Sequence, residues 1–322
     1  MKKIVQIGNR KISAKKKPIL KRIKKDLSGH WQLYVMILLP VAWVLVFAYY
    51  PMYGAQIAFK DYVITEGITG SQWVGFKHFI RFFSNPQSFK YIFNTLAISL
   101  YVLFISFPIQ IIFAVGLNYI RNTKIKKTVQ MATYLPHFIS VVIVVSMLNM
   151  LFNNRTGVFD AILEFITGKE IDVLGNPKYF RHLYVWSGMW QSLGWNSILY
   201  VSALAGVDPA LHEAAMIDGA SKWKRVWHID IMSILPTVAI TFILQVGRVL
   251  TVGFDKTFLM QNTTNINVSE ILSTYEYKIG IGGMFPAYSY SSAIGLMSAV
   301  VTLTLVWATN RISKKMTNTG LW

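Results

Sequence analysis

The reactive side chains of this sequence do not stand at spacings that build a catalytic or metal site. Its six histidines are scattered, and it contains no His-Glu-x-x-His pair, which would bind zinc from one helix face. It also has no Gly-x-Ser-x-Gly elbow, no Gly-x-x-x-x-Gly-Lys-Ser/Thr phosphate loop and no cysteine. We therefore expect a chain that is not an enzyme, with no catalytic residues and no bound metal or cofactor.

Arg248 is the clear ionisable residue well inside an apolar segment. A charge at the centre of a membrane helix costs about 2.5–3.5 kcal/mol on insertion scales. Such a residue normally faces a partner or a water-filled cavity, and the alternative is that it reaches the nearer membrane surface. The sequence leaves both open.

The elements that must position these residues are apolar helices. Hydrophobic residues make up 53% of the chain and charged residues only 14%, with a net charge of +18. About twenty apolar residues are needed to cross a hydrocarbon core of about 30 Å. Six segments meet this description, and they are predicted at 33–50, 95–119, 132–152, 182–205, 238–254 and 291–309.

The distribution of charge predicts how these segments are oriented. The segments on the side of the termini hold 21 Lys and Arg residues, and those on the other side hold 10. The positive-inside rule then places both termini in the cytoplasm. The expected organisation is a basic tail at 1–30, a transmembrane domain at 31–310 and a tail at 311–322. Because the basic tail directly precedes an apolar helix, we expect it to contact membrane lipids rather than nucleic acid.

The cytoplasmic loop between the fourth and fifth segments has the signals of two short helices. Asp208 is an N-cap before Pro209, and Gly219 ends the first helix. Ser221 caps a second helix, which is expected to lie under the membrane. The apolar stripe of that second helix comprises Trp223, Val226, Trp227, Ile231 and Ile234. A first helix of about ten residues is marginal alone in water, so it needs a surface to pack on.

Glu213-Ala214-Ala215, followed by Gly219 and Ile229, resembles the EAA motif of binding-protein-dependent ABC importer permeases. The resemblance implies an all-α type I importer permease with six transmembrane helices. Its loop 207–236 would contain a coupling helix, which sits in a cleft of an ATP-binding subunit. By this resemblance, the residues expected to contact the ATP-binding subunit are Glu213, Ala214, Ala215, Met216, Asp218, Gly219 and Ala220. The family usually has proline where this chain has Met232.

Further stretches resemble one carbohydrate branch, the LplB-like permeases of complex-sugar and polysaccharide importers. Among them are residues 73–76, 253–256 and the terminal Leu321-Trp322. The resemblance implies a subunit of the bacterial cell membrane. Its partners would be a second, homologous permease, two ATP-binding subunits that hold ATP and Mg, and an extracytoplasmic solute-binding protein.

A sugar pathway combines aromatic faces, which stack on pyranose rings, with amide and charged groups for the hydroxyls. The candidates are Trp186, Trp190, Gln191, Trp195, Asn196, Gln245, Arg248 and Asp255. Alternatively, the tryptophans form an interfacial belt and packing contacts. An importer of a non-sugar solute shares all the coupling features, and a membrane scaffold without transport is a further alternative.

Overall fold

The computed structural model describes residues 19–153, 157–169, 171–251, 253–317 and 319–322, with side chains from residue 29 onward. It divides into two units, Met1–Ala55 and Gln56–Trp322. Most of the predicted basic tail at 1–30 lies outside the described residues and side chains.

The described part of the first unit, from residue 19 onward, is helical. Helix α1 (Ile19–Val44) continues through a π-helical stretch at Leu45–Tyr49 into α2 (Tyr50–Met52). Its apolar side chains are exposed, including Leu39 at 75%. An apolar helix with such a surface is suited to contact with lipid.

The second unit contains short helices between long ones. Its α-helices are α3 (Gly67–Gly70), α4 (Lys77–Ser84), α5 (Pro86–Tyr101), α6 (Phe107–Asn118), α7 (Thr123–Tyr134), α8 (Val141–Leu151), α9 (Val158–Thr167), α10 (Pro177–Ala205), α11 (Pro209–Ile217), α12 (Lys222–Arg225), α13 (Met232–Val246), α14 (Phe254–Met260), α15 (Ile266–Ser269), α16 (Leu272–Gly280) and α17 (Tyr288–Thr317). Its π-helical stretches are Val102–Ser106 and Val226–Ile231, and its 3-10 stretches include Leu135–Phe138. A 3-10 stretch at Tyr53–Phe59 leads into the second unit. Two short strands, β1 (Lys60–Asp61) and β2 (Gln72–Trp73), pair antiparallel.

Within the described residues, four helices are long and apolar enough to cross a membrane. They are Gly29–Phe59, Pro86–Asn118, Lys222–Val246 and Tyr288–Thr317. A fifth is present if Thr123–Phe138 and Val141–Leu151 count as one span. The structure therefore has a helical membrane architecture with four or five candidate spans, against the six predicted.

The predicted third segment, 132–152, is not one straight helix. Its two helices are bent by 100° relative to each other. Pro136 lies in the 3-10 turn, and the Ser140 side chain accepts a hydrogen bond from the Ile143 N–H to begin α8. Proline cannot donate a helix hydrogen bond, so the chain reorients where a hydropathy pattern shows no break.

The predicted fifth segment, 238–254, is displaced toward the N-terminus. The chain is helical from Lys222 to Val246, so the predicted surface helix and the span form one element. The predicted apolar stripe is divided between two environments, because Trp223 and Trp227 are exposed while Ile234 is fully buried. The π-helical stretch between them widens the turn and changes which side chains share a face.

Helix α10 is the centre of the second unit and packs on α6, α7 and α13. Gly194 allows the close approach of α7, because a Cβ there would overlap the Thr133 carbonyl group of α7. The packing places α6, α10 and the end of α13 around a common polar space.

Candidate functional site

Helix α11 is the first short helix predicted in the loop, and the structure confirms it. The Asp208 carboxylate accepts a hydrogen bond from the Ala210 N–H at 2.9 Å, and Pro209 begins the helix. Gly219 has φ +75°, a left-handed conformation that lets the chain turn just after the helix. Local capping signals therefore define both ends of α11.

One face of α11 is exposed and rich in apolar groups. Ile217 is 86% exposed and lies on this face with Glu213 and Ala214. Leu211 and Met216, at its edges, are each about half exposed. A cluster of exposed apolar side chains of this kind is typical of a protein-binding surface. We call the residues 211, 213, 214, 216 and 217 the α11 face.

The predicted coupling residues follow this division. Five are exposed, namely Glu213, Ala214, Met216, Asp218 and Gly219. Two are half-buried, namely Ala215 and Ala220. The Ala220 N–H donates to the Ala215 carbonyl at 2.8 Å, which closes the turn after the helix.

The opposite side of α11 contacts the helices behind it through His212. Its Nε2 atom lies 3.2 Å from Oδ1 of Asp230, a carboxylate that is fully buried. The other carboxylate oxygen accepts a hydrogen bond from the Tyr119 hydroxyl at 2.8 Å. Three separate parts of the chain therefore meet at Asp230.

A pocket of about 430 Å³, lined by both polar and apolar side chains, lies between α5–α6, α10 and the segment that follows α13. We call it the polar pocket after the hydrogen-bonding groups that it contains. Its polar lining comprises Ser99, Ser106, Gln110, Ser192, Asn196, Gln245, Arg248, Thr251 and Lys256. Among the described residues that line it, two are basic, namely Arg248 and Lys256, and none carries a carboxylate. The pocket is therefore suited to a polar ligand with negative charge.

Lys256 lies at one end of this pocket, on α14 and outside the candidate spans. Its ammonium group donates to the Tyr184 carbonyl and the Ser187 hydroxyl, both at 2.9 Å, and lies 4.9 Å from the centre of the Tyr184 ring. Burial lowers the pKa of Lys256 to about 7, so both its charged and neutral forms are present near neutral pH.

Gly253 permits this arrangement. It has φ +42°, and the Tyr184 hydroxyl occupies the space that a Cβ at this position would need. A side chain at 253 would therefore be strained and would collide with Tyr184.

The structure brings together three of the eight predicted pathway residues. Asn196, Gln245 and Arg248 line the polar pocket. Among the others, Trp190 and Asp255 are exposed and do not line it. Arg248 lies in the turn after α13, beyond the end of the candidate span, where its exposed side chain lines the pocket.

The remaining predicted pathway residues have structural contacts elsewhere. Trp195 stacks on His137 with ring centres 4.4 Å apart. The Gln191 side chain donates to the Ile139 carbonyl at 2.7 Å, beside the break before α8. Trp186 lines a separate apolar cleft. These contacts favour the packing interpretation of the tryptophans.

Sequence reasoning missed Lys256 and the polar residues of the second span. Ser99, Ser106 and Gln110 recur at intervals of seven and four, which places them on one face of an apolar helix. That polar stripe on an apolar helix is a sequence pattern from which a polar cavity could have been predicted. Lys256 shows no such pattern, because only the fold brings α14 against α10.

No metal site is evident in the described part of the chain. There, no group of three or more His, Cys, Asp or Glu side chains is placed to hold an ion.

The fold and the exposed loop helix define a class, a helical membrane subunit with a short exposed helix in the loop after α10. The chain belongs to the family of binding-protein-dependent transport system inner membrane components, whose model matches residues 110–318. This confirms the resemblance that the EAA motif indicated.

Two relatives from Bacillus subtilis (strain 168) match nearly the whole chain. The polygalacturonan/rhamnogalacturonan transport system permease protein YteP is 41% identical, over 95% of this chain and 95% of its own. Protein LplB is 40% identical, over 90% of this chain and 91% of its own. The similarity to LplB confirms the branch that the sequence indicated.

A solved structure shows the same fold. It is a bacterial alginate ABC transporter in complex with an alginate pentasaccharide-bound periplasmic protein. One of its chains superposes with a TM-score of 0.86 and 36% identity, covering 93% of this chain and all of that one.

Proposed function

We propose that this chain is a transmembrane permease subunit of an ATP-driven importer of oligo- or polysaccharides. The observation that carries the proposal is the α11 face, which presents Ile217 and Glu213 without covering groups at the position of the EAA motif. A permease without a phosphate loop depends on a separate ATPase to drive its conformational change. An exposed helix with apolar side chains offers a surface to which that ATPase can bind.

The proposed assembly has four further components. A second, homologous permease completes the pathway, and two ATP-binding subunits hold ATP and Mg. An extracytoplasmic solute-binding protein delivers the substrate. The periplasmic protein in the related alginate transporter structure supports this last component.

The proposed setting is the bacterial cell membrane, with six spans and both termini in the cytoplasm. The excess of Lys and Arg on the side of the termini and of loop 207–236 supports this orientation. We assign α10 as a further span, although it is not among the candidates found by length and hydropathy. Its 29 residues are enough to cross a membrane, and it packs at the centre of the second unit. The bent α7–α8 pair would supply another.

The polar pocket is proposed as part of the substrate path. Arg248 and Lys256 supply positive charge, while Asn196 and Gln245 supply amide groups for hydroxyls. The names of the relatives refer to polygalacturonan and alginate, and both polymers carry carboxylates. We therefore propose that the transported sugars carry uronate groups.

The test is charge reversal on the α11 face in the complete, reconstituted transporter. Glu213→Arg is expected to abolish substrate-stimulated ATP hydrolysis while leaving membrane insertion intact, because the ATPase contact acquires the wrong charge. Glu164→Arg, on the exposed surface of α9, is the matched control and should retain stimulation. Normal stimulation in Glu213→Arg would contradict the coupling role.

A substrate series tests the choice of solute. Uptake of uronate oligosaccharides, with no uptake of amino acids or peptides, supports the proposal. Failure of the chain to co-purify with any ATPase would favour a scaffold instead.

A further inference from the structure

Helix α11 is connected to the chain at both ends by short turns, and it also has a side-chain connection in its middle. His212 stands on the side opposite the α11 face, and 22% of its side chain is exposed. Its Nε2 atom lies within ion-pair distance of Asp230 Oδ1, at 3.2 Å, without the alignment of a hydrogen bond. The contact is therefore a close approach of the imidazole to a carboxylate oxygen that has no hydrogen-bond partner.

The buried carboxylate of Asp230 depends on its polar neighbours for stabilisation. It is fully buried within the helix Lys222–Val246, and a buried carboxylate without compensation costs several kcal/mol. Tyr119 supplies a hydrogen bond to one oxygen, and His212 faces the other. Loss of either partner leaves part of a buried charge unmatched.

Tyr119 connects this carboxylate to another span, because it directly follows the helix Pro86–Asn118. Burial, with the neighbouring Asp230 carboxylate, raises the pKa of Tyr119 to about 12. The hydroxyl therefore keeps its proton at neutral pH and donates it to Asp230. Arg225, half-buried one turn before Asp230, is a further charge that acts on Tyr119.

Both spans that meet at Asp230 also line the polar pocket. The helix that ends at Asn118 contributes Gln110, and the helix that contains Asp230 ends next to Gln245. Gln110 and Tyr119 are nine residues apart, about 13 Å along a helix. A hydrogen-bonded helix transmits a displacement over such a distance as a nearly rigid element.

We propose that His212, Asp230 and Tyr119 form an internal anchor through which movement of α11 is transferred to both spans. They act as positioning residues, since none lines the pocket or belongs to the α11 face. The proposal rests on the proposed function, because it assumes that a partner ATPase moves α11. It adds the route by which that movement reaches the pocket, in parallel with the backbone turns at 206–208 and 218–221.

The test measures how many substrate molecules are transported per ATP hydrolysed by the complete transporter in proteoliposomes. Tyr119→Phe and His212→Gln should each lower this ratio by about five-fold or more, which is the range of coupling between distant sites. Basal ATP hydrolysis and the amount of bound ATPase should remain unchanged. Tyr119→Phe removes one hydroxyl group, so it is the variant least able to disturb folding.

The matched control is His228→Gln in the same loop. His228 is exposed and its ring nitrogen contacts the Lys224 carbonyl, away from the anchor. This variant should keep the ratio of the wild-type transporter. The double variant with Tyr119→Phe and His212→Gln should lose little more than either single variant, because both changes break one connection.

Three outcomes separate the anchor from the proposed function. A wild-type ratio in Tyr119→Phe and His212→Gln would overturn the anchor and leave the proposed function intact. Independent, fully additive losses in the double variant would also overturn it, since the residues would then not act as one unit. A wild-type complex that hydrolyses ATP without transporting any oligosaccharide would contradict the proposed function as well.

Discussion

The α11 face and the polar pocket differ in whether their side chains have contacts within this chain. On α11, Ile217 is 86% exposed and its apolar surface is left uncovered by this chain. In the pocket, Lys256 is 7% exposed and donates hydrogen bonds to Tyr184 and Ser187. The α11 face has apolar surface that this chain leaves uncovered, whereas the side chains of the pocket are held by contacts within the chain itself.

This difference teaches where substitutions should act. A change on the α11 face should impair assembly and leave the fold intact, because few internal contacts are lost. A change in the pocket should impair transport and leave assembly intact. A variant of the α11 face that loses transport while still assembling normally would remove the distinction.

The largest effect is expected at the centre of the α11 face. Ile217→Glu should weaken binding of the ATPase subunit about 30-fold or more, because a residue on which an interface depends contributes about 2 kcal/mol or more. Binding of purified ATPase to the permease complex in nanodiscs measures this directly.

Ile166→Glu on α9 is the matched control. Ile166 is 71% exposed but lies on another loop, so its substitution should leave ATPase binding unchanged. Equal weakening by both variants would show that a general loss of stability, and not the α11 face, is responsible.

The next largest effect is expected from the pocket cations. Arg248→Gln or Lys256→Gln should lower uptake of a uronate oligosaccharide about ten-fold or more, since a hydrogen bond to a charged group contributes about 1.5–3 kcal/mol. ATPase binding should stay normal. Uptake by reconstituted transporters carrying each variant is the measurement.

Lys169→Gln, on the exposed surface after α9, removes a charge outside the pocket and should have no effect on uptake. If Arg248→Gln and Lys256→Gln also transported uronate oligosaccharides normally, the pocket would not be the charged part of the path.

A smaller effect is expected at Gly253. Gly253→Ala introduces a side chain at φ +42° against the Tyr184 hydroxyl, a strain of about 1–3 kcal/mol. We expect uptake to fall about five-fold to ten-fold as Lys256 is displaced. Adding Tyr184→Phe should restore part of the uptake, because it removes the collision but not the backbone strain. If Tyr184→Phe restored none of the uptake, the collision with the Tyr184 hydroxyl would not be the cause of the loss.

The smallest effect concerns pH. The pKa of Lys256 is lowered to about 7, so the ammonium form that binds a carboxylate is lost as pH rises through this value. Uptake at low substrate concentration should fall by at most about five-fold between pH 7 and pH 8. Uptake by the Lys256→Gln variant should not show this fall between pH 7 and pH 8. If the variant and the wild-type transporter had the same pH profile of uptake, Lys256 would not be the group that titrates.

The sequence allowed prediction of those parts of the fold whose causes are local. The caps Asp208, Pro209 and Gly219 define α11, and long apolar runs indicated the second and last spans. The bend between α7 and α8 was missed, because Pro136 interrupts hydrogen bonding without changing hydropathy. Helix α10 was predicted as a span although its polar residues keep it below the hydropathy of the others.

The pocket was predictable only in part. Asn196, Gln245 and Arg248 were identified as polar residues on apolar segments. The tryptophans were weighed as sugar contacts, although Trp195 stacks on His137 and Trp186 lies in an apolar cleft. Lys256 was missed because its burial depends on contacts with Tyr184 and Ser187, about 70 residues away. Such long-range contacts leave no local pattern.

The most direct test of the central claim is the labelling of a single cysteine on α11. The chain has no cysteine, so Ile217→Cys introduces one thiol into this subunit. In inside-out vesicles, a membrane-impermeant maleimide should label this thiol when the ATPase is stripped away and should fail to label it when the ATPase is bound. Labelling from outside intact cells, or equal labelling with and without the ATPase, would contradict the assignment of α11 as the cytoplasmic ATPase contact.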